Sequence, residues 1–225
     1  MFFSRRIKNS LDVELAGLKF SNPVGVIGSI ANPKNPFRSC YKAGFVVLTP
    51  PGDAVLEWIS NLQEFRKTAK LAVNLSSDIV HTFSLIYDFA DFIIIDPDTD
   101  SGLNSPDLSD ITFLLDEIVS LRLCYEQYTP IFLRLSHGDT PDEIAPLLSC
   151  ARLSGLDGIV APTPLKVRQV MEECQGRMPV IGIARTAEEG MEELQAGATL
   201  IETDFRPLGL IKMLKRIENQ THVQV

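Results

Sequence analysis

Cysteine is scarce in this chain, and none of it is paired in sequence. Cys40, Cys124, Cys150 and Cys174 are the whole set, with no CxxC spacing among them. That argues against a disulfide framework and a zinc site and fits a reducing cytoplasm. Long apolar runs are also missing, so no segment has the length of a membrane helix. The opening MFFSRRIKNS has basic residues but no apolar run after them; neither a signal peptide nor a membrane anchor is expected. Positive charge is in deficit, with 21 Lys and Arg against 29 Asp and Glu and a formal net charge of -8. That balance disfavours nonspecific binding to nucleic acid or anionic membranes. Histidine is limited to His81, His137 and His222, and Trp58 is the single tryptophan, read as a helix-packing residue. No low-complexity segment or linker interrupts the 225 residues, which read as one domain.

What the chain has instead is a regular alternation. Leu11 to Phe20 alternates apolar and polar residues with Gly17 placed to turn, the pattern of a short hairpin over about 11–21. Asn22-Pro23 ends it. Eight short apolar runs follow: Val24–Gly28, Phe45–Leu48, Leu71–Leu75, Phe92–Ile95, Ile131–Leu135, Gly158–Ala161, Val180–Ile183 and Thr199–Ile201. Between and after them lie helical patterns at Asn35–Ala43, Asp53–Ala69, Ile79–Phe89, Leu108–Tyr125, Pro141–Leu153, Leu165–Cys174, Ala187–Gln195 and Leu208–Glu218. Gly44, Gly155, Gly176 and Gly197 sit where C-caps are needed. Strict strand–helix alternation implies a parallel sheet, because parallel neighbours need a crossover. Eight units is the number that closes a (β/α)8 TIM barrel, with an open doubly wound sheet as the alternative.

The stretch Asp91-Phe-Ile-Ile-Ile-Asp96-Pro-Asp-Thr-Asp-Ser-Gly-Leu-Asn104 runs from a buried strand straight into acids and hydroxyls. In a barrel, the loop after a strand's C-terminal end is where chemistry happens, so this stretch is the first candidate site. Arg134 stands inside an apolar run and therefore needs an acid partner, for which Asp96, one strand over, is the candidate. A structural Arg–Asp pair explains the two residues as well as a catalytic role does. His137, in Ser136-His-Gly-Asp139, lies at the same end and is a candidate general base or ligand; a lone His in a turn is also commonly just exposed. The alternating Asp96, Asp98 and Asp100 lack the Gly and distal Glu of a calcium loop, and no metal is expected. No Lys is placed in a barrel strand for Schiff-base chemistry, which disfavours an aldolase of that kind.

Several pieces, in one shared order, resemble the dihydroorotate dehydrogenase family. They are Leu15-Ala-Gly-Leu-Lys-Phe-Ser-Asn-Pro-Val-Gly25, Ala43-Gly-Phe-Val-Val-Leu-Thr49, Leu71-Ala-Val-Asn-Leu75, Ile95-Asp-Pro-Asp-Thr-Asp-Ser-Gly-Leu103, Pro130-Ile-Phe-Leu-Arg-Leu-Ser136, Gly155-Leu-Asp-Gly-Ile159, Pro179-Val-Ile-Gly-Ile183 and Leu194-Gln-Ala-Gly-Ala-Thr-Leu-Ile201. The resemblance implies an FMN-dependent barrel that oxidises dihydroorotate to orotate in pyrimidine biosynthesis. The protein's part there is to place the flavin, neutralise its phosphate and position a base.

Under that resemblance, Asp96 stands where the family's Ser or Cys base is found, and Arg134 stands for a Lys that reaches toward the flavin. Ser29, Thr49, Asn74, Thr163, Gly182, Arg185 and Arg206 fall at expected cofactor contacts. The chain departs from the pattern in one direction. Ala161-Pro-Thr-Pro-Leu165 replaces an Asn-Thr-Thr step and removes two backbone donors. The glycine-rich phosphate turn after the seventh strand is replaced by Gly182-Ile-Ala-Arg-Thr-Ala-Glu-Glu189. There Thr186 and Glu189 have capping-box spacing, and the acids oppose a phosphate. Arg185 and Arg206 remain as an anion clamp. Two functions stay open: an FMN-dependent oxidoreductase, or a degenerate pseudoenzyme that keeps the fold, has lost the cofactor and holds another small-molecule ligand at the barrel mouth. The sequence leaves the oligomeric state open, and a homodimer is compatible with it.

Overall fold

Residues 11–28, 42–51, 55–62, 69–99 and 107–223 are described in the computed structural model. Val13–Leu15 (β1) pairs antiparallel with Leu18–Phe20 (β2). The turn residues Ala16 and Gly17 both have positive φ, 48° and 78°; two successive residues of this kind match the twist of a tight hairpin. Asn22 then fixes the entry to the barrel. Its Oδ1 accepts a hydrogen bond from the Val24 amide at 3.0 Å, and its Nδ2 donates to the Lys42 carbonyl at 2.9 Å.

The barrel strands are β3 (Val24–Gly28), β4 (Phe45–Leu48), β5 (Lys70–Leu75), β6 (Phe92–Ile95), β7 (Ile131–Arg134), β8 (Gly158–Ala161), β9 (Val180–Ala184) and β10 (Leu200–Thr203). All neighbours are parallel, and β10 pairs with both β9 and β3, so the sheet closes on itself in the order β3 to β10. The fold is the eightfold TIM barrel with a short hairpin, not the open sheet. The helices are α1 (Val55–Leu62), α2 (Ile79–Ile86), α3 (Leu108–Arg122), α4 (Pro141–Ser154), α5 (Pro164–Glu173), α6 (Ala187–Ala196) and α7 (Leu208–Val223). The helix expected at Asn35–Ala43 falls almost wholly outside the described residues, as do the ends of the one expected at Asp53–Ala69. The last strand is displaced from Thr199–Ile201 to Leu200–Thr203. Lys70 opens β5, which corrects the expectation of no strand lysine. It sits at the N-terminal end, 3.0 Å from Asp91 Oδ1 and away from the mouth.

Period two sorts the strand residues into two shells. Val24, Val46, Leu71, Ile93, Leu133 and Ile159 face outward and pack under the helices, where Trp58 is also buried. Phe45, Val47, Ala72, Phe92, Ile94 and Phe132 face inward, and Leu15 and Phe20 of the hairpin pack with them. At the N-terminal end four rings close the barrel edge to face: Phe20 on Phe45, Phe20 on Phe92, Phe45 on Phe92 and Phe92 on Phe132, with centroids 5.6–6.0 Å apart. Each buried ring contributes roughly 1.5–3 kcal/mol by removal from water. Glycine makes the room for them. A Cβ on Gly25 would lie 2.2 Å from the Phe45 ring, and one on Gly158 would lie 2.5 Å from Phe132. The N-terminal end is therefore a dry plug, and access is left to the C-terminal end.

Candidate functional site

The inward series turn polar at the same height. β5 presents Ala72 and then Asn74; β6 leads from Phe92 and Ile94 to Asp96. β7 presents Phe132 and then Arg134, and β10 presents Leu200 and then Glu202. Because the strands are parallel, these polar ends form one layer at the C-terminal mouth, where barrel chemistry sits.

Arg134 is the hub of that layer. Its Nη2 donates to both carboxylate oxygens of Glu202, each at 3.0 Å, reaching across the barrel. Its Nε lies 3.2 Å from Asn74 Oδ1, to which it donates, and 3.3 Å from Asp96 Oδ2. Asn74 Nδ2 donates to the same Asp96 oxygen at 3.4 Å, so the network closes on itself. The side chains are 14% exposed for Arg134, 16% for Asp96 and 2% for Glu202, so water screens the cluster little.

One guanidinium faces two carboxyl groups. Burial pushes the Glu202 carboxyl above the usual range, opposed by the charge and hydrogen bonds of Arg134. Burial also raises Asp96, opposed by Arg134 and then by the Asn74 hydrogen bond. The layer thus holds a proton more readily than two free carboxylates, and the Arg134 charge is already neutralised within the protein. Such a layer can orient a polar ligand or exchange a proton, but it has little positive potential left for an anion.

The other expected residues that are described do not join this network. Thr49 is exposed just after β4. Ser29 falls outside the described residues. His137 is exposed after β7 and lines a cavity of about 350 Å³ over the ends of β8 and β9, together with Thr163, Arg185, Glu189 and Glu193. It is not in the Arg134 network; the structure places it beside the acids of α6 instead. Arg206 is exposed in the turn after β10. Gly182 sits on the outer face of β9, where a Cβ would lie 2.9 Å from Glu193 Oε2. It therefore makes space for a helix side chain, which corrects its placement at the mouth.

Helices α3, α5 and α6 are capped from within at this end of the barrel. Asp107 accepts from the amides of Ser109 and Asp110 ahead of α3. Thr163 Oγ1 accepts from Lys166 N at 3.3 Å at the start of α5. On α6, Thr186 Oγ1 accepts from Glu189 N at 3.1 Å, which is one half of the capping box expected from their spacing; Glu189 Oε2 accepts at 2.7 Å from Arg185 N, one residue before the N-cap, and not from Thr186 N. The free N–H groups that attract anions to a helix start are reduced at each of these positions.

Sequence reasoning missed three residues. Glu202 was legible as an acid at an inward position of an apolar strand, two after Leu200, but its partner lies across the barrel. Lys166 is buried beside Val167 on α5 and donates to the carbonyls of Ser136 and His137, holding the β7–α4 loop. Glu193 is wholly buried on α6, with neither carboxylate oxygen hydrogen-bonded. Among the described residues no group of His, Cys, Asp and Glu is arranged to hold a metal ion, and no helix is long and apolar enough to cross a membrane.

A closed parallel barrel with a charged layer at the C-terminal ends defines the class: a (β/α)8 barrel with a polar mouth. No model of a known protein family matches the chain. A dihydroorotate dehydrogenase (quinone) of Psychrobacter sp. (strain PRwf-1) is 21% identical, with 87% of this chain and 80% of that protein aligned. The alignment spans 275 positions against a chain of 225 residues, so the relative carries segments that this chain lacks. A dihydroorotate dehydrogenase (quinone) of Aeromonas hydrophila is 25% identical over 158 residues, 52% of this chain and 46% of that protein. Among solved structures, the DHODH of Eimeria tenella in complex with ferulenol superposes with a TM-score of 0.80 at 17% identity, over 99% of this chain and 88% of that one. The ligand-free type of the same enzyme gives 0.70 at 18% identity, over 89% and 83%. Taken with the ordered pieces of sequence, these likenesses support a divergent member of the dihydroorotate dehydrogenase family.

The residues present do not fit the phosphate of FMN in the way the family resemblance implies. At the start of α6 the Glu189 amide is used by Thr186 and the Arg185 amide before it by Glu189, a carboxylate stands beside the helix start where the resemblance implies the dianion, and Gly182 faces the helix layer. Two like charges at hydrogen-bond distance repel by several kcal/mol at the effective dielectric of a protein surface.

Proposed function

We propose that this chain is a dihydroorotate dehydrogenase-type barrel that has kept the fold and given up flavin catalysis, and that its mouth binds a small-molecule ligand. The observation that carries this reading is the Glu189 carboxylate bonded to the Arg185 amide at 2.7 Å, across the first turn of α6. The Arg134–Glu202 pair supports it, since the cation that would face a flavin is held by the protein's own acid. A reducing cytoplasmic setting belongs to the same reading, supported by free Cys124, Cys150 and Cys174 among the described residues. The test is a fluorescence titration of the purified chain with FMN. The expected result is colourless protein and no saturable quenching at micromolar flavin. Tight, one-to-one binding with a flavin absorption spectrum would sink the proposal.

The second reading is the active enzyme, an FMN-dependent oxidation of dihydroorotate to orotate. It is favoured by Asp96, which lies at the mouth beside Asn74 and Arg134 with its proton affinity raised. A carboxylate there is a candidate general base. Orotate formation that depends on dihydroorotate and added FMN, and is lost in Asp96→Asn, supports this reading over the first.

A further inference from the structure

The cavity over the ends of β8 and β9 has a feature that capping does not explain. Glu193 is 0% exposed, lines this cavity and has no hydrogen-bond partner on either oxygen. An unpartnered buried carboxyl is costly, and proteins keep few of them without a reason. Its place is built: Gly182 leaves out the Cβ that would lie 2.9 Å from Glu193 Oε2 and 3.1 Å from its Cδ. Around it stand Glu189 and Glu192 on the same helix, with Arg185 and His137 on the loops. Arg168 of α5 also acts on Glu193 by its charge. Three carboxyls against Arg185 leave the lining acidic. Ile183, Pro162 and Pro164 give it an apolar wall.

We propose that this cavity is a binding site for a small organic cation, a protonated alkylamine whose ammonium group is received by Glu193 and whose carbon chain lies along Ile183 and the two prolines. The proposal rests on the reading of a barrel without flavin, since it places a cation where the family resemblance implies a phosphate. An ammonium supplies the donors that Glu193 lacks, and the surrounding acids favour its charge. About 350 Å³ admits a chain of several carbons, at the small end of ligand cavities. No covalent step is involved.

The Glu193 carboxyl is pushed up to about 8, by burial first and then by Glu189 and Glu192, with Arg168 opposing. An ammonium prefers the ionised form, so binding releases a proton below that pH. Affinity is therefore expected to rise with pH until Glu193 is ionised in the free protein and then to level off. The experiment is calorimetry on the full chain with 1,4-diaminobutane, with the neutral 1,4-butanediol, inorganic phosphate and FMN as separate arms. Saturable binding of the diamine, none of the diol, a rise in affinity from pH 6 to pH 8, and at least a tenfold loss in Glu193→Gln are expected. Thermal melts run in parallel establish that Glu193→Gln is folded. Retention of the pH profile in His137→Asn assigns the titration to Glu193. No saturable diamine binding, or equal binding by Glu193→Gln, overturns the proposal. Tighter binding of phosphate than of diamine does so as well. Failure of the diamine with no FMN uptake removes this site alone, whereas tight FMN uptake removes the flavin-free reading as well.

Discussion

The two ends of this barrel share strands β6 and β7 and solve opposite problems. At the N-terminal end, Phe20, Phe45, Phe92 and Phe132 pack edge to face and exclude water. At the C-terminal end, one or two steps further along strands of the same sheet, Asn74, Asp96, Arg134 and Glu202 form a nearly dry polar layer. The plug is held by non-directional burial, and each ring adds stability by itself. The polar layer is held by mutual satisfaction: each member is tolerated because another answers its charge or hydrogen bond. Stability is lodged at one end. At the mouth a buried ion cluster stands where packed apolar groups of similar volume are often as stable.

The largest effects should come from breaking each end and then attempting a repair. Arg134→Ala leaves Glu202 and Asp96 buried without their cation and is expected to cost about 3–5 kcal/mol in urea denaturation near neutral pH. Phe92→Ala opens a cavity among three rings and is expected to cost about the same, roughly 3–5 kcal/mol. The repairs should part company. Combining Arg134→Met with Glu202→Leu and Asp96→Asn is expected to return most of the lost stability, because the three charges are removed together and none is left buried without a partner. Adding Phe132→Ala to Phe92→Ala should deepen the loss. If the triple variant is as unstable as Arg134→Ala, the mouth is a true part of the folding core and the contrast fails.

A smaller effect is expected from Glu193, and its sign follows from the raised value of about 8. The unfolded chain releases this proton near the ordinary glutamate value of ~4.3. The folded protein binds more protons over the interval between the two, so its contribution to stability is full at low pH and is lost as pH rises toward 8. The wild-type chain is expected to lose on the order of 3 kcal/mol from this group between pH 5 and pH 8. Glu193→Gln should flatten that slope and be the more stable protein at pH 8. Parallel slopes for the two proteins in pH-dependent denaturation would show that Glu193 is ionised and partnered in solution.

The barrel was legible because its signals are local. Every expected strand except the last agrees with the structure to within one residue at each end. Helices α4 and α6 stop at Gly155 and Gly197, both in the left-handed region. The meeting of Asp96 and Arg134 was legible for a related reason: adjacent parallel strands carry equivalent inward positions to neighbouring places. Glu202 was not, because Arg134 reaches it across the barrel, and a sequence shows which strands alternate but not which side chains cross the lumen. Gly182 misled in the opposite way. A glycine at a strand end suggests close approach to a ligand, yet the atom that approaches is Glu193 Oε2, from further along the chain on α6. Glu193 itself reads as one more acid in an acidic helix; only the packing of α6 on β9 shows it buried.

The smallest predicted effect bears most directly on the contrast between a mouth that repels phosphate and one that merely lacks it. Glu189 both bonds the Arg185 amide and stands as an anion at the start of α6. Glu189→Gln keeps much of the capping geometry, and its cost should be only about 0.5–1 kcal/mol in thermal or urea melts. The charge it removes is a like charge to phosphate. If electrostatic opposition is what excludes a phosphate there, the variant should gain measurable affinity for inorganic phosphate or FMN, more at low than at high salt, since exposed charge is screened over about 10 Å at 0.1 M. If the backbone donors are the limit instead, the carboxamide oxygen introduced by Glu189→Gln will still accept from the Arg185 N–H, and Thr186→Ala will be needed with it before any phosphate is taken up. Neither variant taking up phosphate, with both folded, would mean that this helix start has lost the shape as well as the charge for an anion.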